Sequence, residues 1–599
     1  MPPSTAMETG VAVRAQIHDA EAGQWLRFAQ PAAVLTAATP AEAPGVVDTV
    51  ERLVREDGLY GVGFLSYEAA QGFDLRLVTH PPGRLPAAWF ALFRAPVPCG
   101  PPSPAAPPPA DWIATVDADA YGQALDRIRA YIAAGDTYQV NFSYRLRASL
   151  QDDTAAWAEA LFGAMVARQP GGYGARIDTE AWSICSASHE LFFSRRGRAI
   201  TSRPMKGTAP RGATAAEDAL RARWLAGSMK NRAENLMITD MVRNDLGRIA
   251  DVGSVQATDL FRLEPYPTLW QLTSTVRGDS DAPLRALLGA LFPAASITGA
   301  PKRRTMEIIR ELEATPREIY TGSVALLRPD GSAQLNVAIR TALVDHQRAV
   351  AEYGVGGGIL WDSTAAEEYE ETRTKARILA PDACPEPPLA LLETLLWQPG
   401  EGYWLLPGHL DRLAAGAAFF GMPDPRDAAR DALERAAADL PARPHRVRLV
   451  VPADAAPEVT ATPLDGEPPS RRVCLSAPMP LQNDPYVLHK TTRRAIYQRA
   501  LTAARQRTPE ADDVLLVNQH GEVTESTIAN LMIDLDGELL TPPLASGLLA
   551  GVYRRQLLES GEVSERPVTP DMVHRARAVY LLNSVRGRWP VTLLETGPG

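Results

Sequence analysis

Residues 203–212 read Arg-Pro-Met-Lys-Gly-Thr-Ala-Pro-Arg-Gly, which places Lys206 directly before a glycine and two residues after a proline. Proline and glycine disfavour a helix here, so we expect Lys206 on a turn after a strand that ends near Ser202. Most lysines are solvated surface charges. Whether Lys206 is such a charge or a nucleophile held in a site depends on the rest of the chain.

The composition is that of a globular protein with more than one domain. A chain of 599 residues is long for one core, so two or three domains are expected. The net charge of −10 and the lack of a basic tract argue against a nucleic-acid surface. Residues 1–20 lack the apolar segment of a signal peptide, and no apolar run has the length of a membrane span. The four cysteines are scattered without a C-x-x-C pair, so a reducing cytoplasm is expected.

Proline-rich stretches divide the chain. Residues 96–109 have the composition of a stiff spacer or surface loop, and residues 381–388 contain four prolines. We therefore expect an N-terminal part at 1–110, a catalytic domain at 111–380, a linker at 381–388 and a separate unit at 389–599.

Acidic residues share one face of a helix expected at 364–379. Glu368, Glu371 and Lys375 are three and four residues apart, a spacing that aligns side chains along a helix. Such charges are usually solvated. Alternatively, the carboxylates supply the hard oxygen ligands that magnesium prefers, together with Glu234 near the start of another helix.

Three further segments indicate a small substrate with carboxylates. Ser296-Ile-Thr-Gly-Ala-Pro-Lys302 is expected to be a turn that presents hydroxyl and N–H groups at a helix start, where anions bind. Arg340, in a strand expected at 335–341, could clamp a carboxylate through two hydrogen bonds. A glycine loop expected at 354–358 offers further N–H donors.

Several motifs, in this order, resemble those of the chorismate-utilising enzymes, which include the anthranilate, aminodeoxychorismate, isochorismate and salicylate synthases. They are Ile132-Ala-Ala-Gly-Asp-Thr-Tyr-Gln-Val-Asn-Phe-Ser, Asp240-Met-Val-Arg-Asn-Asp-Leu-Gly-Arg, the Ser296–Lys302 segment and Glu371-Thr-Arg-Thr-Lys. The resemblance spans about residues 120–380. It implies an α+β fold of large antiparallel β-sheets flanked by helices.

The resemblance also implies roles for residues. Within the family, anthranilate synthases carry alanine where aminodeoxychorismate synthases carry the lysine that matches Lys206. That lysine would add at C2 of chorismate as the 4-hydroxyl leaves, before ammonia adds at C4, and it must be neutral to do so. Glu190 matches the acid for the departing hydroxyl. Glu234 and Glu371, with Glu368 beside them, match magnesium ligands. The positions that match substrate contacts are Ser296, Thr298, Tyr320, Arg340, Gly356, Gly358 and Lys375.

One residue of this chain departs from the family pattern, and the sequence lacks the means to release ammonia from glutamine. Gln271 lies where the family usually has a histidine, and we interpret that histidine as belonging mainly to anthranilate-type chemistry. A glutaminase would need a nucleophilic cysteine at a tight turn, and none of the four cysteines lies in a Gly-x-Cys-x-Gly context. We therefore expect a separate glutamine amidotransferase subunit to supply ammonia.

The C-terminal residues suggest a cofactor site. Lys490 follows a polar loop, Glu525 follows a turn, and residues 541–552 form a turn that leads into a helix. Each alone is uninformative, because charged residues are mostly on the surface. A lysine, a carboxylate and a phosphate cradle at a helix N-terminus are together what a pyridoxal phosphate site requires.

In this order the motifs resemble the class IV (fold-type IV) pyridoxal phosphate enzymes, over nearly all of residues 386–599. The resemblance implies an α/β unit of two subdomains, with Lys490 as the Schiff-base lysine and Glu525 as the partner of the pyridine nitrogen. The resemblance is also compatible with a homodimer that forms through this unit. The implied phosphate contacts are Arg412, Gly551 and Val552. Members include transaminases and aminodeoxychorismate lyase, which the local motifs do not separate.

The leading hypothesis is a bifunctional enzyme that makes 4-aminobenzoate for folate from chorismate. Fusion to a chorismate unit that carries Lys206 favours the lyase, by association alone. One alternative is an anthranilate synthase-like enzyme fused to a class IV transaminase. Another is a non-catalytic scaffold that recruits the glutaminase, against which the intact Glu371, Lys490 and Glu525 argue.

Overall fold

The chain folds into two compact units in the computed structural model. The first unit contains Met1–Thr208, Leu225–Glu264 and Gln271–Pro385, and the second contains Ala209–Trp224, Pro265–Trp270 and Glu386–Gly599. The linker expected at 381–388 and the middle of the spacer expected at 96–109 lie outside the described residues. Structure is described for residues 6–8, 12–103, 109–151, 153–169, 172–212, 215–266, 269–379, 389–453, 455–466, 471–482 and 484–594.

Two large sheets lie at the centre of the first unit, and the strand pairs with a defined register in them are antiparallel. In spatial order, the 11-stranded sheet contains Ala6–Glu8, Ala33–Ala37, Ala88–Phe93, Tyr60–Leu65, Ser323–Leu327, Ala333–Asn336, Leu191–Arg196, Ala199–Ser202, Leu269–Asp279 and Met205–Pro210, with Gln256–Pro265 beside Leu269–Asp279. The 10-stranded sheet contains Gly299–Ala300, Gln139–Ser149, Val350–Ile359, Thr341–Asp345, Trp182–Ser186, Ala175–Asp178, Arg14–Asp19, Gln24–Ala29 and Val97–Cys99, with Ile113–Ala114 beside Gln139–Ser149.

The two sheets pack face to face. Phe64 and Trp89 of the 11-stranded sheet share one buried cluster with Phe28 and Leu343 of the 10-stranded sheet. Removing this much apolar surface from water stabilises the pairing by roughly 1.5–3 kcal/mol for each large side chain.

Helices cover the outer faces of the two sheets. Val50 of one helix packs on the outer face of the 11-stranded sheet, and Ile128 of another packs on that of the 10-stranded sheet. The first unit is therefore layered as helices, sheet, sheet and helices. Its helices are Ala43–Glu56, Ala70–Phe73, Ala118–Ala133, Thr154–Arg168, Met229–Gly247, Leu284–Leu291, Lys302–Leu312 and Ala365–Ala376, and Ala215–Gly227 begins in the second unit.

The second unit has two sheets of its own. One has four strands, Gly402–Tyr403, Ala390–Gln398, His445–Pro452 and Glu458–Pro463. The other has eight, Val523–Ser526, Asp513–Asn518, Arg472–Met479, Gly587–Leu593, Ala578–Asn583, Asn530–Leu535, Glu538–Thr541 and Ser564–Glu565, and pairing of Val523–Ser526 with Asn530–Leu535 closes this sheet on itself. The helices are Leu406–Phe419, Arg426–Ala438, Pro485–Leu488, Ala495–Arg507, Val552–Glu559 and Pro570–Arg575.

The predicted fold class, large antiparallel sheets flanked by helices and then an α/β unit of two subdomains, is confirmed. Among the described residues, no helix combines the length and apolar character needed to cross a membrane.

Three local predictions are wrong. Lys206 lies on the strand Met205–Pro210 rather than on a turn, because pairing with a neighbouring strand outweighs local proline and glycine preferences. The glycines expected as a loop lie inside the strand Val350–Ile359. Arg340, expected within a strand, lies between two strands with a φ of 51°, so the ladder is interrupted there.

Candidate active sites

Hydrogen bonds fix the backbone directly after the Lys206 side chain. The Asn235 side-chain amide donates to the Lys206 carbonyl oxygen at 3.2 Å, and Gln271 donates to the Gly207 carbonyl oxygen at 3.0 Å. Gly207 has a φ of +93°, and a Cβ there would lie 3.0 Å from Asn231, so glycine is required. The strand therefore presents Lys206 from a rigid backbone.

The surroundings of Lys206 favour a neutral amine. Desolvation is the largest influence and lowers the pKa of Lys206 below its ordinary value. Glu234 opposes this shift, whereas the nearby cation Lys375 adds to it. A neutral lysine is a nucleophile, whereas an ammonium group is not.

Glu190 is a buried carboxyl group in the same site. The Ser296 hydroxyl donates to its Oε1 at 2.6 Å. Burial raises the pKa of Glu190 to about 7, although Ser296 and Lys206 both act to lower it. A carboxyl group that titrates near neutrality can give up a proton to a leaving group. A hydrogen bond from the backbone of Met205, the residue before Lys206, also acts to lower the pKa of Glu190, so this carboxyl group lies beside the strand that carries Lys206.

Gly356 and Gly358 lie where backbone passes close to other groups. A Cβ on Gly356 would lie 2.5 Å from the Phe142 carbonyl oxygen. A Cβ on Gly358 would lie 2.1 Å from Gln139 Nε2 and 3.1 Å from Lys206 Nζ. A side chain at Gly358 would therefore enter the space around the lysine amine.

Sequence reasoning did not assign a role to two residues of this site. Gln139 is 1% exposed, and its Oε1 has no hydrogen-bond partner among the described residues. The sequence signal that could have identified Gln139 is its position in the Tyr-Gln-Val-Asn part of a family motif. His189 lies near Arg340 and Lys375, and burial together with these cations lowers the pKa of His189 to about 3.

Two of the predicted substrate-binding cations lie together. Lys375 donates to the Gly356 carbonyl oxygen at 2.8 Å and pairs with Glu371 at 2.7 Å. Arg340 donates to the Lys375 carbonyl oxygen. Arg340 and Lys375 therefore lie beside the glycine strand, where the Lys375 charge is paired with Glu371.

The other predicted contacts are more enclosed. Tyr320 is 6% exposed and lies under the guanidinium of Arg145, with Cζ 5.0 Å from the ring centroid. Thr298 is buried, and its hydroxyl donates to the Ala294 carbonyl oxygen at 3.3 Å. The Thr298 side chain therefore stabilises its own turn in this structure.

The predicted magnesium ligands are close enough to affect one another but form no ligand cluster. Glu371 raises the pKa of both Glu234 and Glu368, after the larger effect of burial. Carboxylate oxygens fit magnesium in their chemistry. However, Glu371 is paired with Lys375, and the described residues include no group of three or more His, Cys, Asp or Glu side chains that could hold a metal ion.

Lys490 of the second unit is also a buried lysine with a lowered pKa. Its carbonyl oxygen accepts from the Leu392 N–H at 2.9 Å, which ties it to the strand Ala390–Gln398. Burial and the nearby Arg412 lower the pKa of Lys490 to about 7. A substantial fraction of this amine is therefore neutral at physiological pH.

Glu525 is enclosed by donors. Tyr497 donates to Oε1 at 2.7 Å and Asn530 donates to Oε2 at 3.0 Å, while burial raises the pKa of Glu525 to about 7. Asn530 also donates to the Leu549 carbonyl oxygen at 2.9 Å. A Cβ on Gly551 would lie 1.8 Å from Asn530 Oδ1, so this close approach requires glycine.

Arg412 lies beside the turn that leads to Val552. It makes two hydrogen bonds to the buried carboxylate of Glu393, at 2.6 and 2.8 Å, and donates to the Ala550 carbonyl oxygen at 3.0 Å. His409 Nδ1 lies 2.7 Å from the same carboxylate. Its Nε2 is buried and has no partner within the described part of the chain.

These residues fit pyridoxal phosphate. Arg412 donates to the Ala550 carbonyl oxygen, and Asn530 joins Glu525 to the Leu549 carbonyl oxygen, so both side chains lie at the turn before Val552. Lys490 is hydrogen-bonded to Leu392, the residue before the Glu393 that pairs with Arg412. The helix Val552–Glu559 begins directly after Gly551, and helix N-termini bind phosphate. The partnerless His409 nitrogen leaves a buried polar atom for a ligand.

Two parts of the chain each match the model of a known protein family. Residues 96–381 match the chorismate binding enzyme family, and residues 390–594 match the amino-transferase class IV family. These matches confirm the two resemblances seen in the sequence.

The relatives of the first part include two kinds of enzyme. Aminodeoxychorismate synthase component 1 of Klebsiella aerogenes is 42% identical over 273 residues, which are 45% of this chain and 59% of that protein. Anthranilate synthase component 1 1 of Haloarcula marismortui is 40% identical over 288 residues, 47% of this chain and 57% of that protein. The chain thus spans less than two thirds of the length of either relative.

A solved structure shares the fold of the first part. Anthranilate synthase component I from Streptococcus pneumoniae superposes with a TM-score of 0.50 and 22% identity, and the match covers 63% of this chain and 93% of that one. At this identity the likeness shows the fold alone.

Proposed function

We propose that this chain, which carries a chorismate binding enzyme domain and an amino-transferase class IV domain, makes 4-aminobenzoate for folate from chorismate and ammonia. The first domain would form 4-amino-4-deoxychorismate, and the second would eliminate pyruvate from it. One observation supports the proposal most: the buried acid Glu190 accepts a hydrogen bond from the backbone of Met205, the residue next to the desolvated Lys206.

In the first site, Lys206 is the nucleophile. Its neutral amine adds to C2 of chorismate, the two conjugated ring double bonds shift to C1=C6 and C4=C5, and the C4 hydroxyl leaves as water with a proton from Glu190. Ammonia then adds at C4, and the reverse shift expels the lysine from C2. Arg340 and Lys375 supply the positive charge for the substrate carboxylates.

In the second site, the residues hold a cofactor and move one proton. Pyridoxal phosphate would supply an electron sink for the substrate amine. Lys490 holds the cofactor and, as a free amine, takes the proton from C4 of the substrate ring. Glu525 holds a proton at the pyridine nitrogen, while Arg412 and the N–H groups of Gly551 and Val552 hold the phosphate. Pyruvate leaves as the ring becomes aromatic.

Ammonia is proposed to come from a separate glutamine amidotransferase subunit. The relative from Klebsiella aerogenes is named as a component 1, which supports a two-component arrangement. We place the enzyme in the cytoplasm, with a homodimer through the second unit. Light scattering of the purified chain checks the homodimer, and a monomer at micromolar concentration would contradict it.

Magnesium is the ion proposed for the first site, with Glu234, Glu371 and Glu368 as its ligands. The assignment is supported by the Glu371 charge, which, after the larger effect of burial, acts to raise the pKa of both Glu234 and Glu368. Glu371→Gln should raise the magnesium concentration at half-maximal rate, whereas Glu370→Gln, an exposed neighbour on the same helix, should not. Equal effects of both substitutions would refute the assignment.

The alternative is an anthranilate synthase-like enzyme fused to a class IV transaminase, which the similarity to the Haloarcula marismortui protein favours. Two variants of the full-length chain separate the hypotheses. With chorismate, ammonium and magnesium, Lys490→Ala should accumulate aminodeoxychorismate without releasing pyruvate. Lys206→Ala should give no para-aminated product. Anthranilate as the main product of the unmodified chain would favour the alternative.

A further inference from the structure

Arg211 has no role in either set of family motifs, yet it is part of the second unit. It lies in the segment Ala209–Trp224, inside the residues that match the chorismate binding enzymes. This segment clusters with Glu386–Gly599 rather than with the rest of its own family domain. The second unit therefore includes chain from outside the amino-transferase match.

The Arg211 guanidinium is buried, and each of its three nitrogens donates at least one hydrogen bond. It makes two hydrogen bonds of 2.8 Å to the carboxylate of Asp218 and donates to the Tyr266 carbonyl oxygen at 2.9 Å. Asp218 also accepts from the Trp270 indole at 2.9 Å. A buried ion pair is tolerated only when its remaining hydrogen-bonding groups are satisfied, as they are here. The segment Ala209–Trp224 therefore holds the Arg211 guanidinium in a fixed position.

That cation contacts the end of a helix that carries cofactor-site residues. Arg211 donates to the Phe419 carbonyl oxygen at 2.7 Å, and its Cζ lies 3.9 Å from the Phe419 ring centroid. Phe419 is the last residue of the helix Leu406–Phe419, which also carries Arg412. The Arg211 charge is favourable at this helix C-terminus because it complements the helix dipole. It is also favourable over the Phe419 ring because of the cation–π interaction.

The Phe419 ring also contacts the residue that precedes Lys490. It stacks on the His489 imidazole, with the ring centroids 4.1 Å apart and an interplanar angle of 30°. Lys490 is the next residue after His489, and its carbonyl oxygen accepts a hydrogen bond from the Leu392 N–H at 2.9 Å. The Lys490 backbone is therefore held by a strand on one side and by this ring stack on the other.

We propose that Arg211 is a positioning residue of the cofactor site: it holds Phe419 and, through that ring, His489, and thereby orients Lys490. The inference rests on the proposed function, because it takes Lys490 as the lysine that binds pyridoxal phosphate. It follows that the segment Ala209–Trp224 completes the second site, so that the chorismate part of the sequence is needed for cofactor binding.

The test measures pyridoxal phosphate binding to the full-length chain by the visible absorbance of the bound cofactor. Arg211→Met should raise its dissociation constant by about tenfold or more, equivalent to about 1.4 kcal/mol. It should also shift the pH midpoint of the absorbance change. Arg223→Met, which replaces an exposed arginine of the same segment, should leave both values unchanged within about twofold.

Phe419→Leu provides a second, independent variant. It removes the ring between Arg211 and His489 but keeps the backbone carbonyl that Arg211 contacts. We expect the same weakening and the same spectral shift, and the double variant should be no worse than the more affected single one. If Arg211→Met does not fold, unchanged cofactor binding by Phe419→Leu overturns the inference.

Other results would also overturn it. A lower melting temperature for Arg211→Met with an unchanged dissociation constant and spectrum would show a merely structural residue. Equal effects of Arg211→Met and Arg223→Met on cofactor binding would also overturn the inference. So would a full-length chain that binds no cofactor. Binding is measured without substrate, so a chain that binds the cofactor but releases no pyruvate refutes the proposed lyase and leaves this inference intact.

Discussion

Gln271 donates a hydrogen bond from Nε2 to the carbonyl oxygen of Gly207 at 3.0 Å. Its Oε1 accepts from the Thr208 hydroxyl at 3.1 Å. Both hydrogen-bonding functions of the amide are therefore used on the strand that presents Lys206. We interpret Gln271 as a clamp on this strand rather than as a replacement for a catalytic histidine.

Gln271→Leu should slow para-amination while leaving chorismate binding nearly intact. The substitution keeps the side-chain volume but leaves the Gly207 carbonyl oxygen without its donor, which costs about 1–3 kcal/mol. We expect kcat to fall by about tenfold and KM for chorismate to change by less than about twofold. Steady-state kinetics with ammonium checks this, and an unchanged kcat would contradict the clamp.

The amination rate should fall as pH rises through about 7. Glu190 must be protonated to act as the acid, and burial raises its pKa to about 7. The hydrogen bond from Ser296 favours the carboxylate, so Ser296→Ala should raise the pKa of Glu190 further. The alkaline limb of the kcat–pH profile should then move up by about half a unit or more. A limb that stays in place or moves down would argue against Glu190 as the acid.

Gly358→Ala should abolish amination without unfolding the protein. The new methyl group would lie 2.1 Å from Gln139 Nε2 and 3.1 Å from Lys206 Nζ, so it would enter the site. A rate loss of about a hundredfold or more is expected, with a melting temperature close to that of the unmodified chain. Gly122→Ala is the matched control, because its Cβ would meet nothing closer than 3.7 Å. Activity of Gly358→Ala equal to this control would place the substrate elsewhere.

Glu525→Gln should impair the second reaction and spare the first. The amide cannot keep a proton on the pyridine nitrogen, so pyruvate release should drop by about a hundredfold. Formation of aminodeoxychorismate should continue, because Glu525 lies in the other unit. Pyruvate release is followed in a coupled assay, and aminodeoxychorismate by mass spectrometry. Parallel loss of both reactions would mean that the substitution damages the whole chain.

The fold class could be predicted from the sequence because the motifs are long and follow a fixed order. The resemblance that these motifs carry also implied roles for Lys206, Glu190 and Ser296, which lie far apart in the chain and which the structure brings close together. Local patterns were less informative. Proline and glycine around Lys206 indicated a turn, but pairing along the sheet edge makes this segment a strand.

What the sequence could not predict depends on long-range packing. That the buried Glu393 accepts from Arg412 and also bonds His409 depends on how the helix Leu406–Phe419 packs on the strand Ala390–Gln398. The placement of the segment Ala209–Trp224 in the second unit is of the same kind. Family resemblance assigns this segment to the first domain, whereas packing decides where its side chains act.

The measurement that tests the central claim most directly is the product analysis of the purified full-length chain supplied with chorismate, ¹⁵N-ammonium, magnesium and pyridoxal phosphate. We predict 4-aminobenzoate with ¹⁵N at the para position and one pyruvate for each aromatic ring formed. Anthranilate as the product, or aminodeoxychorismate that accumulates without pyruvate, would contradict the claim that one chain performs both reactions.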